Sequence, residues 1–119
     1  MATPVEANLQ SGAADQRRSP RQRVLLSGRL VFGESDHTVD CLIRDLSRVG
    51  AKVRLAGVLA MPPEVWLIEL KSGVAFEARV AWRRLPDIGL QFISTHNLSD
   101  PLDARARSLR RIWVEAVAR

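Results

Sequence analysis

The architecture of this chain is most directly visible in GVAFEARVAWRR, residues 73–84. Every second position carries an apolar side chain, and the positions between are small or charged. The apolar set is Val74, Phe76, Ala78, Val80 and Trp82. Side chains of a β-strand point alternately to the two faces of a sheet, so this period of two predicts a half-buried strand. We expect the whole apolar set, Trp82 included, to face a hydrophobic core.

Five further segments have strand-like patterns and are bounded by turn residues. They are VLLSGRLVF (24–32), TVDCLIRDL (38–46), GAKVRLA (50–56), VWLIEL (65–70) and IGLQF (88–92). The turn-like residues GESD separate the first two. Six short strands would leave exposed edges in an open sheet, and closure of the sheet removes those edges. The predicted fold is therefore mainly β, a six-stranded antiparallel β-barrel.

The C-terminal stretch, residues 100–118, has the apolar spacing of one α-helix. Ser99 and Asp100 are candidate N-caps, and Pro101 suits the first helical position. The apolar stripe consists of Leu102, Ala106, Leu109, Ile112, Trp113, Ala116 and Val117. The opposite face carries Arg105, Arg107, Arg110 and Arg111. We expect the stripe to pack on the barrel and the arginines to be solvated.

The start of the chain differs from the rest. Residues 1–23 contain almost no large apolar side chains, so they cannot offset the entropy lost on ordering. This composition predicts a flexible N-terminal tail. We place the tail at residues 1–16 and the folded domain, with its C-terminal helix, at residues 17–119.

Composition limits the classes of function. The single cysteine, Cys41, excludes a disulfide framework, and with two histidines the chain has too few donors for a four-ligand zinc site. No segment approaches the ~20 apolar residues of a membrane span or has the pattern of a secretion signal, so we expect a cytoplasmic protein. No nucleophile, base and orienting group form a set, so we do not expect an enzyme. The net charge of +5 favours anionic partners.

Two short motifs stand in a fixed order. QRRSPRQRV, residues 16–24, contains Arg17 and Arg21 in the spacing RxxxR. RDLSRVGAKV, residues 44–53, contains Asp45, Ser47 and Gly50 in the spacing DxSxxG, between two predicted strands. In this order, before and within a six-stranded pattern, they resemble the PilZ domain, a bacterial receptor module for cyclic di-GMP. The later VAWRRLPDIGLQF is also similar to the last strands of that family, and the resemblance covers roughly residues 17–118.

The resemblance implies cyclic di-GMP as the ligand, with no metal or other cofactor, and it assigns roles to four arginines. Arg17 and Arg21 would form the clamp, and Arg18 would be an auxiliary phosphate contact. Arg44, just before the second motif, would add a phosphate or base contact. Guanidinium suits these roles because it can fork onto a phosphate or onto guanine O6 and N7, and it can stack on a base.

The resemblance also assigns roles to the second motif. Asp45 would accept hydrogen bonds from guanine N1 and N2, and Ser47 would supply a small donor and acceptor. Gly50 would permit the turn, with a positive φ if the turn needs one, and a close approach of the ligand. A simpler interpretation is also open, a β-turn in which Asp45 and Ser47 bond the local backbone.

We favour a stand-alone cyclic di-GMP receptor that orders its arginine-rich N-terminal segment over the ligand and docks on an unknown partner protein. One alternative is an OB-like nucleic-acid-binding protein, which is disfavoured because base stacking needs exposed aromatic side chains. Another is a PilZ-like adaptor that works by protein contact without a ligand. Gln16, just before the first motif, leaves open whether one or two ligand molecules bind.

Overall fold

The structure, a computed structural model, describes residues 21–57 and 60–118. They form β1 (Gln22–Phe32), β2 (His37–Leu46), β3 (Gly50–Leu55), β4 (Glu64–Glu69), β5 (Val74–Arg84), β6 (Asp87–Asn97) and α1 (Ala104–Val117). All strands pair antiparallel in the ring order β1-β2-β3-β6-β5-β4, and β1 pairs with β4 to close the barrel. The predicted fold class is confirmed. The predicted tail, residues 1–16, lies outside the described residues.

The inside of the barrel holds the larger of two hydrophobic clusters. It is lined by alternate residues of every strand, for example Leu30 of β1, Ile43 of β2 and Leu67 of β4, which are all fully buried. Burying an aliphatic side chain of this size stabilises a fold by about 1.5–3 kcal/mol. Cys41 also belongs to this cluster, as a small apolar side chain.

Helix α1 packs on the outer face of the barrel, as its apolar stripe predicts. Ala106 and Leu109 are buried in a second cluster with outward-facing residues of the strands, which are Val31, Ile68 and Ala75. Trp113 adds a hydrogen bond, because its Nε1 donates to the carbonyl oxygen of Leu70 at 2.8 Å. The two ends of the predicted stripe are not covered, since Leu102 is 86% and Val117 is 52% exposed.

The helix begins later than the sequence predicts. Asp103 is its N-cap, and its carboxylate accepts a hydrogen bond from the backbone N–H of Ala106 at 2.8 Å. The predicted caps, Ser99 and Asp100, are wrong. Their backbone N–H groups donate to the side-chain and backbone oxygens of Asn97 at 3.0 and 3.2 Å, so they form the turn that ends β6. Among the described residues, no helix is long and apolar enough to cross a membrane.

The ring order places the helix and the second motif on opposite sides of the barrel. Helix α1 covers β1 and β4, with the first residues of β5. The DxSxxG motif lies at the end of β2 and the start of β3, and β3 pairs with β6. In a ring of six strands, the β3–β6 pair lies across from the β1–β4 pair. We call these the motif side and the helix side.

Candidate functional site

The turn between β2 and β3 is held by the side chain of Ser47. Its Oγ accepts hydrogen bonds from the backbone N–H groups of Val49 and Gly50, both at 3.2 Å. The backbone N–H of Ser47 donates to the carbonyl oxygen of Gly50 at 2.9 Å. For Ser47, the interpretation as a residue that bonds the local backbone is therefore confirmed. This hydroxyl shapes the turn whether or not it also meets a ligand.

Gly50 is required for a reason other than a positive φ. Gly50 is not among the described glycines with positive φ, which are Gly33 and Gly73, so the turn does not need a positive φ here. A Cβ added at Gly50 would overlap with the carbonyl oxygen of Leu90, because the backbone of β6 runs directly beside it. Any side chain here would push β3 away from β6 at the point where the motif begins.

Trp82 lies on the outer surface instead of in the core, so the expectation that it faces the core is wrong. β5 pairs Val80 with Leu90 and Trp82 with Gly89, so two residues of β5 are set against one residue of β6. Such a β-bulge at Ala81 breaks the alternation of faces and turns the next side chain outward. The indole is 41% exposed and covers Gly89, where an added Cβ would come within 2.6 Å of Trp82 Cδ1.

An open pocket of about 180 Å³ lies on the motif side between the turn and Trp82. Its lining includes Arg21, Ser47, Gly50, Trp82 and Gln91. The structure thus brings together three of the predicted site residues, one from the first motif and two from the second. An exposed indole face, a guanidinium, an amide and backbone groups of a tight turn are suited to a flat, polar, anionic ligand.

Asp45 and Arg44 lie on β2 and do not line this pocket. The pairing of β2 with β3 shifts register between Ile43 and Asp45, so Arg44 is the extra residue of a bulge. The Asp45 carboxylate is 3.5 Å from Lys52 Nζ, and its side chain is 17% exposed. Among the described residues, no backbone N–H donates a hydrogen bond to the Asp45 carboxylate.

The motif side has an excess of cationic groups. The guanidinium carbon of Arg84 lies 6.0 Å from the centre of the Trp82 ring. Arg54 donates two hydrogen bonds of 2.9 and 3.2 Å to the Asp87 carboxylate. Hydrogen bonding from Arg54 lowers the pKa of Asp87, and the Asp87 carboxylate in turn raises the pKa of Arg54. The charge of Asp87 is therefore neutralised by Arg54, and Arg84 beside Trp82 can attract an anion.

Three residues of the pocket were not predicted from the sequence, and two predicted ligands lie outside the described residues. Trp82, Gly89 and Gln91 line the pocket but were not predicted as site residues. A usable signal was the glycine inside the strand IGLQF, since a glycine in a strand often marks the close approach of another group. The predicted ligands Arg17 and Arg18 lie outside the described residues.

Comparison with known proteins points to one family. The model of the PilZ domain matches residues 15–106, which include both motifs and all six strands. A search of curated proteins finds no match. Within residues 21–57 and 60–118, no three histidine, cysteine, aspartate or glutamate side chains form a group that could hold a metal ion.

Proposed function

The chain belongs to the PilZ domain family, whose members are ligand-binding receptor domains for cyclic di-GMP, and we propose that it is a receptor for this dinucleotide. The observation that carries the proposal is the pocket in which Arg21, from the first motif, meets Ser47 and Gly50, from the second. The two motifs are separated by more than twenty residues in the sequence, and the barrel brings them to one site.

Trp82 gives the pocket a stacking surface. We propose that one guanine base of the ligand lies on the exposed indole, with the Arg84 guanidinium close to the same ring. Stacking of a base on an aromatic side chain contributes about 1–3 kcal/mol. A pocket of about 180 Å³ is small for a whole cyclic dinucleotide, so the rest of the ligand would lie on the protein surface.

The surface beside the pocket supplies the polar contacts. Asp45 would accept hydrogen bonds from guanine N1 and N2 after its carboxylate leaves Lys52. Breaking this ion pair costs little free energy, because a partly exposed pair at 3.5 Å contributes little to stability. The freed Lys52 ammonium could then face a phosphate. Arg44 would be an auxiliary contact from the bulge of β2.

The arginines before β1 would complete the site. Arg17 and Arg18 stand four and three residues before Arg21 in the sequence, close enough along the chain to reach a ligand that Arg21 contacts. We propose that residues 16–21, which precede β1, become ordered over the bound dinucleotide and form a new surface for a partner protein. Gln22 and Arg23 are already paired with β2, so the expected segment ends before them. Backbone NMR order parameters of these residues, measured with and without ligand, test this step. Values that are equally high in both states would refute it.

Calorimetric titration with cyclic di-GMP tests the receptor function, with GMP as a control ligand. Arg21→Ala should weaken binding about ten- to a hundredfold, since a hydrogen bond to a charged group is worth about 1.5–3 kcal/mol. Arg17→Ala should have a similar effect. Lys71→Ala is the matched control, because Lys71 is an exposed cation on the helix side. Unchanged affinity in both arginine variants would sink the assignment of the clamp.

A titration with a short DNA duplex separates this function from nucleic-acid binding. A complex that uses several arginines on phosphates loses orders of magnitude in affinity between roughly 50 and 200 mM salt. We expect cyclic di-GMP to bind with only a modest dependence on salt. Tight, salt-sensitive binding of DNA together with no binding of cyclic di-GMP would favour the nucleic-acid alternative.

A further inference from the structure

The outer face of α1 carries cations that the fold does not use. They are Arg107, Arg110 and Arg111, and all three are exposed. None forms an ion pair with a carboxylate of the described residues, and the one polar contact found there is from Arg111 to Ser108 Oγ at 3.3 Å. Arg105 of the same helix differs, because it pairs with Asp36 at 2.9 Å and lies over the Trp66 ring.

The position of Arg107 along the helix does not favour helix stability. Helix α1 begins at Ala104, so Arg107 lies in its first turn, and that turn contains no acidic residue. Aligned peptide dipoles give the first turn of a helix a positive potential, where a cation is unfavourable. The Asp103 carboxylate at the N-cap offsets part of this potential, so the positive charge of the face comes from the three guanidinium groups, against the single carboxylate of Glu115.

The same face continues into an apolar patch. Val114 lies one turn beyond Arg110 and Arg111 and is 45% exposed, and Val117 is 52% exposed. The three arginines, Val114 and Glu115 line an open groove of about 500 Å³, which Pro101 also borders. A segment lying along this groove would meet cations first and aliphatic side chains next.

We propose that this face of α1 docks an acidic segment of a partner protein. Carboxylates of that segment would pair with Arg107, Arg110 and Arg111, and an apolar side chain would cover Val114 and Val117. This interface would lie on the helix side, across the barrel from the pocket of the motif side, and it does not depend on the identity of the ligand there.

Two other anionic partners fit the face less well. A nucleic acid would leave the valines uncovered, and it would find no aromatic surface for its bases, because Trp113 is packed against Gly73 and bonded to Leu70. A membrane surface is bound by helices with a broad apolar face, and the apolar face of α1 is already used against the barrel.

The test uses the full chain and a phage library of random peptides of about twelve residues. Peptides that are enriched on the protein should carry several Asp or Glu residues next to an apolar one. A synthetic copy of the most enriched peptide should bind about tenfold more weakly to the double variant Arg107→Gln/Arg110→Gln, as expected from the loss of two exposed charge pairs. The control Arg79→Gln removes an exposed cation of β5 and should leave the affinity unchanged.

Several results would overturn the proposal. One is a library with no enrichment of acidic peptides, and another is a peptide that binds the double variant as tightly as the parent. Binding of a DNA duplex or of vesicles with anionic lipids through the same two arginines, in place of the peptide, would also overturn it. The melting temperature of the double variant should stay the same or rise, and a fall would show that these arginines serve the fold instead.

Discussion

Trp82 and Trp113 each place an indole against a glycine, on opposite sides of the barrel. Trp113 covers Gly73, where an added Cβ would come within 2.6 Å of its Cη2, and Trp82 covers Gly89 in the same way. The two rings differ in what surrounds them. Trp113 is half-buried between the helix and the β4–β5 turn, and its N–H donates to Leu70. Trp82 is 41% exposed, and no protein acceptor for its N–H is found among the described residues.

This difference supports a structural role for Trp113 and favours the proposed stacking role for Trp82. The same packing motif positions both indoles, but among the described residues only Trp113 has an acceptor for its N–H, and Trp82 is the more exposed ring. An exposed ring that is fixed in place loses little entropy when a planar ligand stacks on it. On the helix side the barrel is covered by α1, whereas Trp82 on the motif side stays exposed, as the proposed stacking of a base requires.

The largest contrast should be in stability. Trp113→Ala should lower the free energy of unfolding by about 3 kcal/mol, because it opens a cavity under α1 and leaves the Leu70 carbonyl without this donor. Trp82→Ala should cost less than about 1 kcal/mol, as expected for a largely exposed side chain. Urea denaturation followed by far-UV circular dichroism measures both. Equal losses in the two variants would erase the distinction.

The contrast should reverse for ligand binding. Trp82→Ala should weaken cyclic di-GMP binding about tenfold or more, and Trp82→Phe should restore most of the affinity, since a phenyl ring still offers a flat surface. Trp113→Phe should leave the affinity unchanged. Calorimetric titration of the three variants decides this point, and full affinity in Trp82→Ala would remove the stacking surface from the proposal.

The two glycines sharpen the comparison further. Gly73 has a φ of +69°, so Gly73→Ala adds backbone strain to the displacement of Trp113 and should cost about 1–2 kcal/mol of stability. Gly89→Ala should lower the free energy of unfolding by less, because the exposed Trp82 ring can move into solvent. It should nevertheless weaken ligand binding severalfold, because the stacking surface is displaced. Paired unfolding and binding measurements on both variants check the prediction, and a stability loss confined to Gly89→Ala would contradict it.

The smallest effect should come from the ion pair of the motif side. Hydrogen bonding from Arg54 lowers the pKa of Asp87 below its ordinary value of 3.8, so the folded state is favoured by the charged carboxylate. This contribution is complete above about pH 5 and is lost as the pH falls below the ordinary pKa. Asp87→Asn should therefore be slightly less stable than the parent at pH 7, and this difference should shrink as the pH falls toward 2. Urea midpoints at pH 7 and pH 2 test this, and a difference that does not shrink would assign the effect to something other than charge.

Much of the fold could be predicted because the pleat of a strand imposes its period directly on the sequence. All six strands and the packing of the helix follow from such periods. The start of the helix could not be predicted in this way, because Ser99, Asp100 and Asp103 are all good caps and only the hydrogen bonds of Asn97 decide among them.

Only the residues of the candidate site that belong to one of the two motifs could be predicted from the sequence. Arg21, Ser47 and Gly50 do meet at one pocket, but Trp82 was assigned to the core because one extra residue, Ala81, shifts the alternation by one face. A bulge adds a residue without changing composition or polarity, so the period alone does not reveal it. The roles of Asp45 and Arg44, and of the residues before Arg21, remain predictions.

The burial of Cys41 has a practical consequence for labelling. Its side chain is 5% exposed, and desolvation, reinforced by the nearby charge of Asp40, raises the pKa of the thiol to about 12. At pH 7 only on the order of one molecule in 10⁵ carries the reactive thiolate. Cys41 is the only cysteine of the chain, so the unmodified sequence should react only slowly with maleimide reagents. A cysteine introduced at exposed Leu102 or Ala81 could carry a fluorophore on the helix side or the motif side without any change to the barrel interior.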